Sequence, residues 1–541
     1  MPYLLAAEAD KIQDFIFRSS RLREVVGASQ LLTRFCQEVD QTLAQRHGGT
    51  VVVNDGGSFR IIFATRDEAL EFGAELAELY RLALGGSLTV AEPVELNNND
   101  FQTANDKAGH KLRWAKSRRE GLAAEVHMPY VAFCESCGVA LAERRDRLPG
   151  KRASRRSRYV CQTCQTKTAE REREPQVILD EFYDAYRNAA AIRGDVKPDW
   201  PEDADDIASF DLSRRNYVAY LVADGNGMGQ IFGRCDQQRL ESLSRQLTTA
   251  TRRSLAQPVA QFRQAVPGNA GMIPILPLIL GGDDLFALIP APYALDLARR
   301  FCLEWEKQMS RLVAGLTNIP RPTIAAAVVI CKSTYPYALA YNRAKTLLKE
   351  AKRQSKLLAA EQGEHLSAVN FEVILGNRLA GRETDDSDRL IRSTLRPYWV
   401  TENGVSANAL ERGIDLHALL AQRLALKDLP NKRLAELRRC FEGVPATVTV
   451  YDRHQTLENW TKHALERILQ RLSAASRSTV EEALSALGKP RNNDGNHHWR
   501  EIKRDKDSLP LAHGMLDLLE TWHFAQDLAH SPADYEPQEE E

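Results

Sequence analysis

The order strand, helix, hairpin, helix, strand occurs twice in this 541-residue chain, and that duplication limits what it can fold into more than any other feature. The later copy is the clearer one. Tyr217 to Ala223 is a short apolar run of the kind that forms a buried strand, and Asp224 follows it directly. A glycine-rich turn leads to a helix whose apolar positions Leu240, Leu243, Leu247 and Ala250, then Leu255, Val259 and Phe262, recur at close to helical spacing. The runs Ile273 to Leu280 and Leu285 to Pro290 form a hairpin with Gly281-Gly282-Asp283-Asp284 at its tip. A helix marked by Leu297, Phe301, Trp305, Met309 and Leu312 comes next, then a strand from Thr323 to Cys331. A helix from near Pro336 to about Ser355 and a strand from Ala368 to Ile374 complete the unit. The order βαββαβ with an appended helix and strand predicts a ferredoxin-like sheet.

The N-terminal part repeats that order. Strand Tyr3 to Glu8, a helix with Leu22, Val26, Leu32, Phe35 and Val39, a hairpin from Thr50 to Ala64, a helix from Arg66 to Leu84 and a strand from Ser87 to Leu96 follow in turn. Its hairpin tip, Gly56-Gly57-Ser58-Phe59, keeps the glycines that permit a tight turn but lacks both carboxylates. Glu8 takes the place of Asp224. One acid does not hold two metal ions, so this copy reads as a structural or nucleotide-holding partner.

Glycine and aspartate are favoured in turns for geometry alone, so the Gly281-Gly282-Asp283-Asp284 string has a purely structural reading. Its neighbours change the balance. Asp224, Asp283 and Asp284 come from two strand ends and could hold a pair of Mg²⁺ or Mn²⁺ ions, which lie roughly 3.5–4 Å apart in phosphoryl-transfer sites. Gly225, Asn226 and Gly229 next to Asp224, with Gly281 and Gly282 at the tip, let backbone approach phosphate oxygens, and Lys352 offers a point charge for a triphosphate. A lysine at that helical position reads equally as a solvated residue.

The composition is that of a folded globular protein, 43% apolar and 27% charged, and the net charge of -1 excludes a uniformly basic nucleic-acid binder. No stretch approaches the roughly 20 apolar residues of a membrane span, and the N-terminus lacks the basic start of a secretory signal, so a cytoplasmic location is expected. Of nine cysteines, five (Cys36, Cys235, Cys302, Cys331 and Cys440) are scattered and suit reduced, buried thiols. The other four form the pairs Cys134-x-x-Cys137 and Cys161-x-x-Cys164, 23 residues apart. That spacing suits a structural Zn²⁺ with all four positions filled; redox-active or disulfide pairs are the alternative. The basic run Lys151 to Arg158 either touches nucleic-acid phosphate or is a solvated loop. His497-His498 reads as an exposed loop, while Trp460, Trp499 and Trp522 read as core or interface anchors.

After residue 376 the chain looks mainly helical, with segments Leu416 to Leu426, Leu434 to Phe441, Trp460 to Leu472 and Leu511 to Leu528, and the tail Ser531 to Glu541 is acidic. The fold class expected is α+β: two ferredoxin-like domains, a zinc-ribbon-like insertion between them, and a C-terminal helical domain. The boundaries expected are a degenerate first domain over 1–125, a zinc-binding and helical linker over 126–210, a catalytic second domain over 211–375, helices over 376–530, and a disordered tail over 531–541.

Taken in order, Ala7 to Phe17, Gly27-Ala28-Ser29, the degenerate tip at 56–59, the four cysteines, Ala223 to Phe232, Gly281 to Leu285, and Tyr335-Pro336 ahead of Ala351-Lys352 resemble the large polymerase/cyclase subunit of type III CRISPR effector complexes. The likeness covers roughly residues 1 to 375. It implies that two Palms bind two ATP molecules and that the second joins ATP into cyclic oligoadenylates. By the same resemblance Asp283 and Asp284 are catalytic and metal-binding, Asp224 is a metal ligand, and Lys352 lies near the triphosphate. It also implies other effector subunits and guide or target RNA as partners, with a homodimer if the chain acts alone. Two departures stand out. Many members begin with a His-Asp nuclease domain, whereas this sequence enters its first Palm at residue 3, so no nuclease activity is expected. Glu8 and Lys11 replace an aspartate and a glycine common in the first Palm. A non-catalytic scaffold and a stand-alone cyclase with another nucleotide product are the rival readings.

Overall fold

A computed structural model describes the whole chain except residues 20, 98–99, 119–131, 148–156, 193–197, 267–270, 318, 376–393, 443–452, 489–498, 504–510 and 536–541. Among the described residues no helix is long and apolar enough to cross a membrane. Most of the basic run (151–156), His497-His498 and residues 536–541 lie outside the described residues; the tail expected to be disordered from Ser531 is instead folded over Pro532–Tyr535, a 3-10 turn held by buried Tyr535, whose hydroxyl accepts from the Asp527 amide.

The first unit opens with β1 (Tyr3–Asp10), α1 (Ile12–Phe17), α2 (Leu22–Glu38) and the short α3 (Ala44–Arg46). A hairpin of β2 (Thr50–Asp55) and β3 (Ser58–Phe63) leads to α4 (Arg66–Leu84) and β4 (Ser87–Val90). The strand order is β2-β3-β1-β4 with antiparallel neighbours, which is the ferredoxin-like arrangement. α4 has the expected bounds because both ends are signalled. Thr65 and Glu68 close a capping box at its start, and Gly85 with φ 67° takes the left-handed conformation at its end. The strand expected over Ser87 to Leu96 is instead two. β4 stops at Val90, and β5 (Val94–Glu95) pairs with the opposite end of β1. Pro93 between them has no amide hydrogen to give a ladder.

α5 (Phe101–Arg118) then covers the sheet, with Phe101, Ala104, Ala108 and Leu112 inward. The insertion holds a hairpin of β6 (Arg144–Arg147) and β7 (Ser157–Val160), followed by α6 (Gln162–Glu172), α7 (Val177–Ala189) and α8 (Ala204–Ala208). It is fastened to the first unit by the packing of α6 on α2. A Cβ on Gly27 of α2 would lie 1.9 Å from the Lys167 carbonyl oxygen of α6, so only glycine lets the two helices come this close. Buried Glu24 accepts hydrogen bonds from the hydroxyls of Ser19 and, at 2.9 Å, Ser136. The buried Lys167 ammonium donates to the Phe15 carbonyl and lies 4.3 Å from the Phe15 ring centroid.

The second unit comprises β8 (Tyr217–Asn226), α9 (Met228–Phe232), α10 (Gln237–Ala265), β9 (Leu276–Gly281), β10 (Asp284–Pro290), α11 (Ala294–Leu312), β11 (Thr323–Lys332), α12 (Tyr337–Gln362) and β12 (Ser367–Val373). Its order β9-β10-β8-β11 matches the first unit; β12 adds parallel to β11, and β13 (Tyr398–Val400) adds antiparallel to β12. β8 and β11 are buried on both faces, which is why they read as unbroken apolar runs. Two bounds differ from expectation. β8 does not end at Ala223 but pairs with β11 as far as Asn226 opposite Thr323, so Asp224 sits inside the strand. α12 runs on to Gln362, where Gly363 with φ 66° stops it. The two units meet through aromatic rings. Phe17 lies edge-on to Phe286 at 5.2 Å and 3.9 Å from Tyr341.

Toward the C-terminus, helices Leu416–Ala425, Asn431–Phe441 and Arg453–Leu469 fall near the expected segments, and Ala474–Leu487 is a further helix. The helix expected over Leu511 to Leu528 is confined to Gly514–Glu520. Leu511–Ala512 is spent on a strand pair with Arg500–Glu501, and the Thr521 hydroxyl turns back onto the Asp517 carbonyl at 2.8 Å. Trp499 and Trp522 are buried, as core anchors should be, and Trp460 packs half-buried against the same core.

Gly27→Ala should therefore lower unfolding stability by about 1–3 kcal/mol, as forced overpacking does. Gly109→Ala in α5, where the nearest atom is 3.7 Å away, should instead raise stability by up to ~1 kcal/mol. Urea titrations of both variants check the contrast.

Candidate active site

The hairpin tip is set by its backbone. Gly281 pairs with Asp284, leaving the two-residue turn Gly282-Asp283, and Gly282 supplies the left-handed φ of 60° that such a turn requires. Two threonines of α10 grip this turn. The Gly282 amide donates to Thr248 Oγ1 at 2.8 Å, and Thr251 Oγ1 donates to the Gly282 carbonyl at 2.8 Å. Behind them the indole of buried Trp305 donates to Thr251 Oγ1 at 3.3 Å.

That grip presents the acids to one another. Leu285 pairs with Ala223, so the next step outward sets Asp284 beside Asp224. Asp283 folds toward the same strand: a Cβ on Gly225 would lie 2.8 Å from Asp283 Oδ2 and 2.7 Å from Met228 Cγ. Gly225 is thus required to admit the Asp283 carboxylate. Lys352 of α12 ion-pairs with Asp224 and donates to the Gly225 carbonyl at 3.2 Å.

Withdrawal from water, then repulsion by Asp224 and by Asp284, pushes the Asp283 carboxyl up to about 7. Withdrawal and Asp224 push Asp284 up to about 6, against the pull of Lys352. The Asp284 side chain reaches solvent, so it is the better screened of the two. Carboxylates that repel one another and retain only one lysine are a donor set suited to a hard divalent cation. They do not converge on one point. Among the described residues, only the four cysteines bring ligand atoms all within 4.8 Å of one another. Acids spread over a turn and a strand suit ions shared between them better than one ion gripped by all three.

The remaining residues singled out in the sequence divide. Gly282 is needed for its φ, and Gly281 lies beside an acid of the other unit, 3.5 Å separating its would-be Cβ from Asp55 Oδ1. A Cβ on Gly229 would meet only open space. The Asn226 amide donates to Thr323 Oγ1 at 3.1 Å, so it is engaged in strand pairing.

Asp55 was not singled out, and neither were Thr248 and Thr251. The Asp55 carboxylate accepts from the Thr248 hydroxyl and adds to the repulsion on Asp284, so it is a fourth acid at the site, contributed by the first unit. The sequence comparison of the two tips was out of step by one residue. Asp55 pairs with Ser58, so Gly56-Gly57 match Gly282-Asp283, and Asp55 and Ser58 match Gly281 and Asp284. Glu8 pairs with Ser58 and so holds the place of Asp224, where it is ion-paired to Lys116 at 2.9 Å. Lys11, where the resemblance marks a glycine, has φ 49°, the left-handed conformation that glycine adopts freely.

A second polar centre lies in the insertion. Cys134, Cys161 and Cys164 are buried, Cys137 is partly so, and the Cys137 and Cys161 sulfurs are 3.9 Å apart. Zn–S bonds of about 2.3 Å set tetrahedral sulfurs ~3.8 Å apart, whereas a disulfide needs about 2.05 Å. The thiol of Cys164 donates to Cys161, holding Cys161 down to about 5 and pushing Cys164 up. Four sulfurs this close fit a Zn²⁺ ion, which would neutralise thiolates that otherwise repel.

An acidic two-residue turn set against an acidic central strand of a ferredoxin-like sheet is the arrangement of a Palm domain. Residues 217–357 match the family model described as Cas10/Cmr2, second palm domain. Among solved structures, the chain is similar to the Csm1–Csm4 cassette in complex with AMPPNP (17% identity, TM-score 0.40, 65% of this chain and 53% of that one). It is also similar to Csm1 in T. onnurineus (16%, TM-score 0.49, 97% and 70%) and to the Csm1–Csm4 cassette in complex with cA4 (18%, TM-score 0.41, 87% and 70%). It spans about half the length of the first of these chains. No curated protein matches.

The shifted acids give a stability test without catalysis. Asp283 is raised from 3.8 to about 7 in the folded chain, so the fold holds an extra proton between those values and its stability falls as pH rises through them. Metal-free Asp283→Asn protein should melt a few degrees higher than the parent at about pH 8, with the gap closing toward about pH 5. Adding Mg²⁺ at about pH 8 should raise the parent more than the variant. For the cysteines, Cys161→Ser should drop zinc content from about one per chain toward none and lower the melting temperature, checked by metal analysis of purified protein.

Proposed function

We propose that the chain is a nucleotidyltransferase that joins ATP into cyclic oligoadenylates within a type III CRISPR effector complex, alongside other effector subunits and guide or target RNA. The observation that carries this reading is the gathering of Asp224, Asp283 and Asp284 at a clamped turn inside a Cas10/Cmr2-type second palm. The similar Csm1–Csm4 cassettes are in complex with AMPPNP and with cA4. The domain division that accompanies the reading is the one expected from sequence, a first Palm over 1–125, a zinc-binding linker over 126–210, a catalytic Palm over 211–375 and a helical part over 376–530.

In this scheme the 3′-oxygen of one ATP forms a bond to the α-phosphorus of another, the bond to pyrophosphate breaks, and the hydroxyl proton leaves to solvent. Asp224, Asp283 and Asp284 would hold two Mg²⁺ or Mn²⁺ ions, which lower the pKa of the attacking hydroxyl and offset charge on the leaving group. The rest of the task is alignment. Thr248 and Thr251 fix the turn that carries Asp283 and leads into Asp284, and Gly225 leaves Asp283 room to reach the central strand. Lys352 balances Asp224 and would be the cation at hand for a phosphate when Asp224 holds a metal ion. The open space beside Gly229 leaves room for a ligand next to the same strand.

Asp283→Ala combined with Asp284→Ala should cut oligoadenylate formation by at least ~10³-fold while leaving the melting temperature equal to or above that of the parent. Labelled ATP with Mg²⁺ or Mn²⁺, with and without target RNA, and mass spectrometry of the product provide the readout. A double variant as active as the parent places the chemistry elsewhere. A parent inactive in every condition favours a scaffold, and a product from another nucleotide favours a stand-alone cyclase.

A further inference from the structure

We propose that one flank of α5 is a binding surface for a single strand of nucleic acid. α5 turns Phe101, Ala104, Ala108 and Leu112 into the core. Beside that face Lys107, Lys111, Trp114 and Arg118 recur at steps of four, three and four residues, with His110 adjacent, so they form one continuous stripe. From Lys107 to Arg118 the stripe is ~16 Å long at helical rise.

The stripe combines the two things a single strand needs, cations for phosphates and an open ring for a base. Trp114 is 59% exposed, unlike the buried Trp305, Trp399, Trp499 and Trp522. The Arg118 guanidinium lies 4.0 Å from the indole centroid, covering one face of the ring and leaving the other to a stacking partner. Toward the N-terminal half of α5 the stripe runs into a cleft of about 660 Å³ lined by Tyr3, Arg66, Lys107, His110 and Lys111 against β5.

The acids nearby are already committed or outnumbered. Glu92 is paired with Arg66 and Glu8 with Lys116, Asp100, which feels the charge of Lys107, accepts from the Thr103 amide at 3.1 Å, and Glu95 is the acid in the cleft wall. Among the described residues Lys107, Lys111 and Arg118 ion-pair with no acid, and Lys111 is aimed by its hydrogen bond to the Pro93 carbonyl at 3.2 Å. A chain of net charge -1 therefore carries a local cationic track, and attraction to phosphate depends on where charges lie. Stacking on Trp114 needs an unpaired base, which favours a single strand over a duplex.

The surface is tested with the 541-residue chain and no ATP, so the result does not depend on the cyclase reading. Fluorescein-labelled uridine homopolymer RNA, the thymidine DNA equivalent and a duplex of the same length are titrated by anisotropy at several salt concentrations. The parent should bind single strands more tightly than duplex. Trp114→Ala should weaken single-strand binding about tenfold, and Trp114→Tyr should restore most of it. Lys107→Glu with Arg118→Glu should weaken binding further and reduce the salt slope by about 2. Preference for RNA or for DNA identifies the source of the strand, and equal binding marks a surface that reads only backbone and stacking. Failure of the parent to bind, or binding unchanged in these variants, overturns the proposal.

Discussion

Four carboxylates crowd one two-residue turn, and the second Palm is built to withstand that crowding. Asp283, Asp284, Asp224 and Asp55 come from the turn, the central strand and the opposite hairpin. Each would gain by moving apart into water, so an unrestrained tip would splay. It is restrained at its backbone, which carries no net charge. Thr248 and Thr251 bind the amide and carbonyl of Gly282, and both threonines sit on a helix whose other side is apolar core. Withdrawal from water, with the repulsion that remains, raises the proton affinity of Asp283, and a divalent cation would relieve that repulsion as a proton does.

The same crowding accounts for the difference between the two halves of the repeat. Asp55 reaches the acidic turn through Thr248, so the tips of the two hairpins share one neighbourhood. If the first tip also bore acids at 57 and 58, two more carboxylates would have to be accommodated there. It carries Gly57 and Ser58 instead, and Glu8 on its central strand is neutralised by Lys116. The two sheets keep one strand order, while only the second carries acids at the positions of Asp283 and Asp284.

How legible this was in the sequence follows the range of the interactions. Elements with local signals were readable: Arg66 to Leu84 is bounded by Thr65, Glu68 and Gly85, and β8 and β11 are unbroken apolar runs because both faces are buried. Where bounds differed, the cause was a partner strand. Asp224 lies within β8 because Thr323 pairs with Asn226, and no local pattern around residue 224 reports that. Pro93 was a visible breaker that explains the division of Ser87 to Leu96. The register of the first tip depended on which residues closed the turn, and two adjacent glycines fit either choice. Asp55 and Thr248 are 193 residues apart, beyond the reach of any motif, although an acid directly before Gly56-Gly57 was in plain view. Trp114 among Lys111, Arg113 and Lys116 was equally visible, but its exposure emerged only once the buried side of α5 was known.

The acidic turn is also backed from its base. β10 leaves the turn at Asp284, and two residues later Phe286 packs against Phe17 and Tyr341. Phe17 ends α1, and the carbonyl of Phe15 in that short helix is held by buried Lys167 of the insertion. A six-residue helix has little stability of its own, so the position of Phe17 depends on the insertion that clasps α1 and α2 through Lys167, Glu24 and the close approach at Gly27. A metal ion held by the four cysteines would order the start of α6, since Cys161 is its N-cap, and α6 carries Lys167. The cysteine cluster therefore stands in line with the support of the acidic site: α6 holds the helix that holds the ring behind Asp284, while α10 fixes the turn in front.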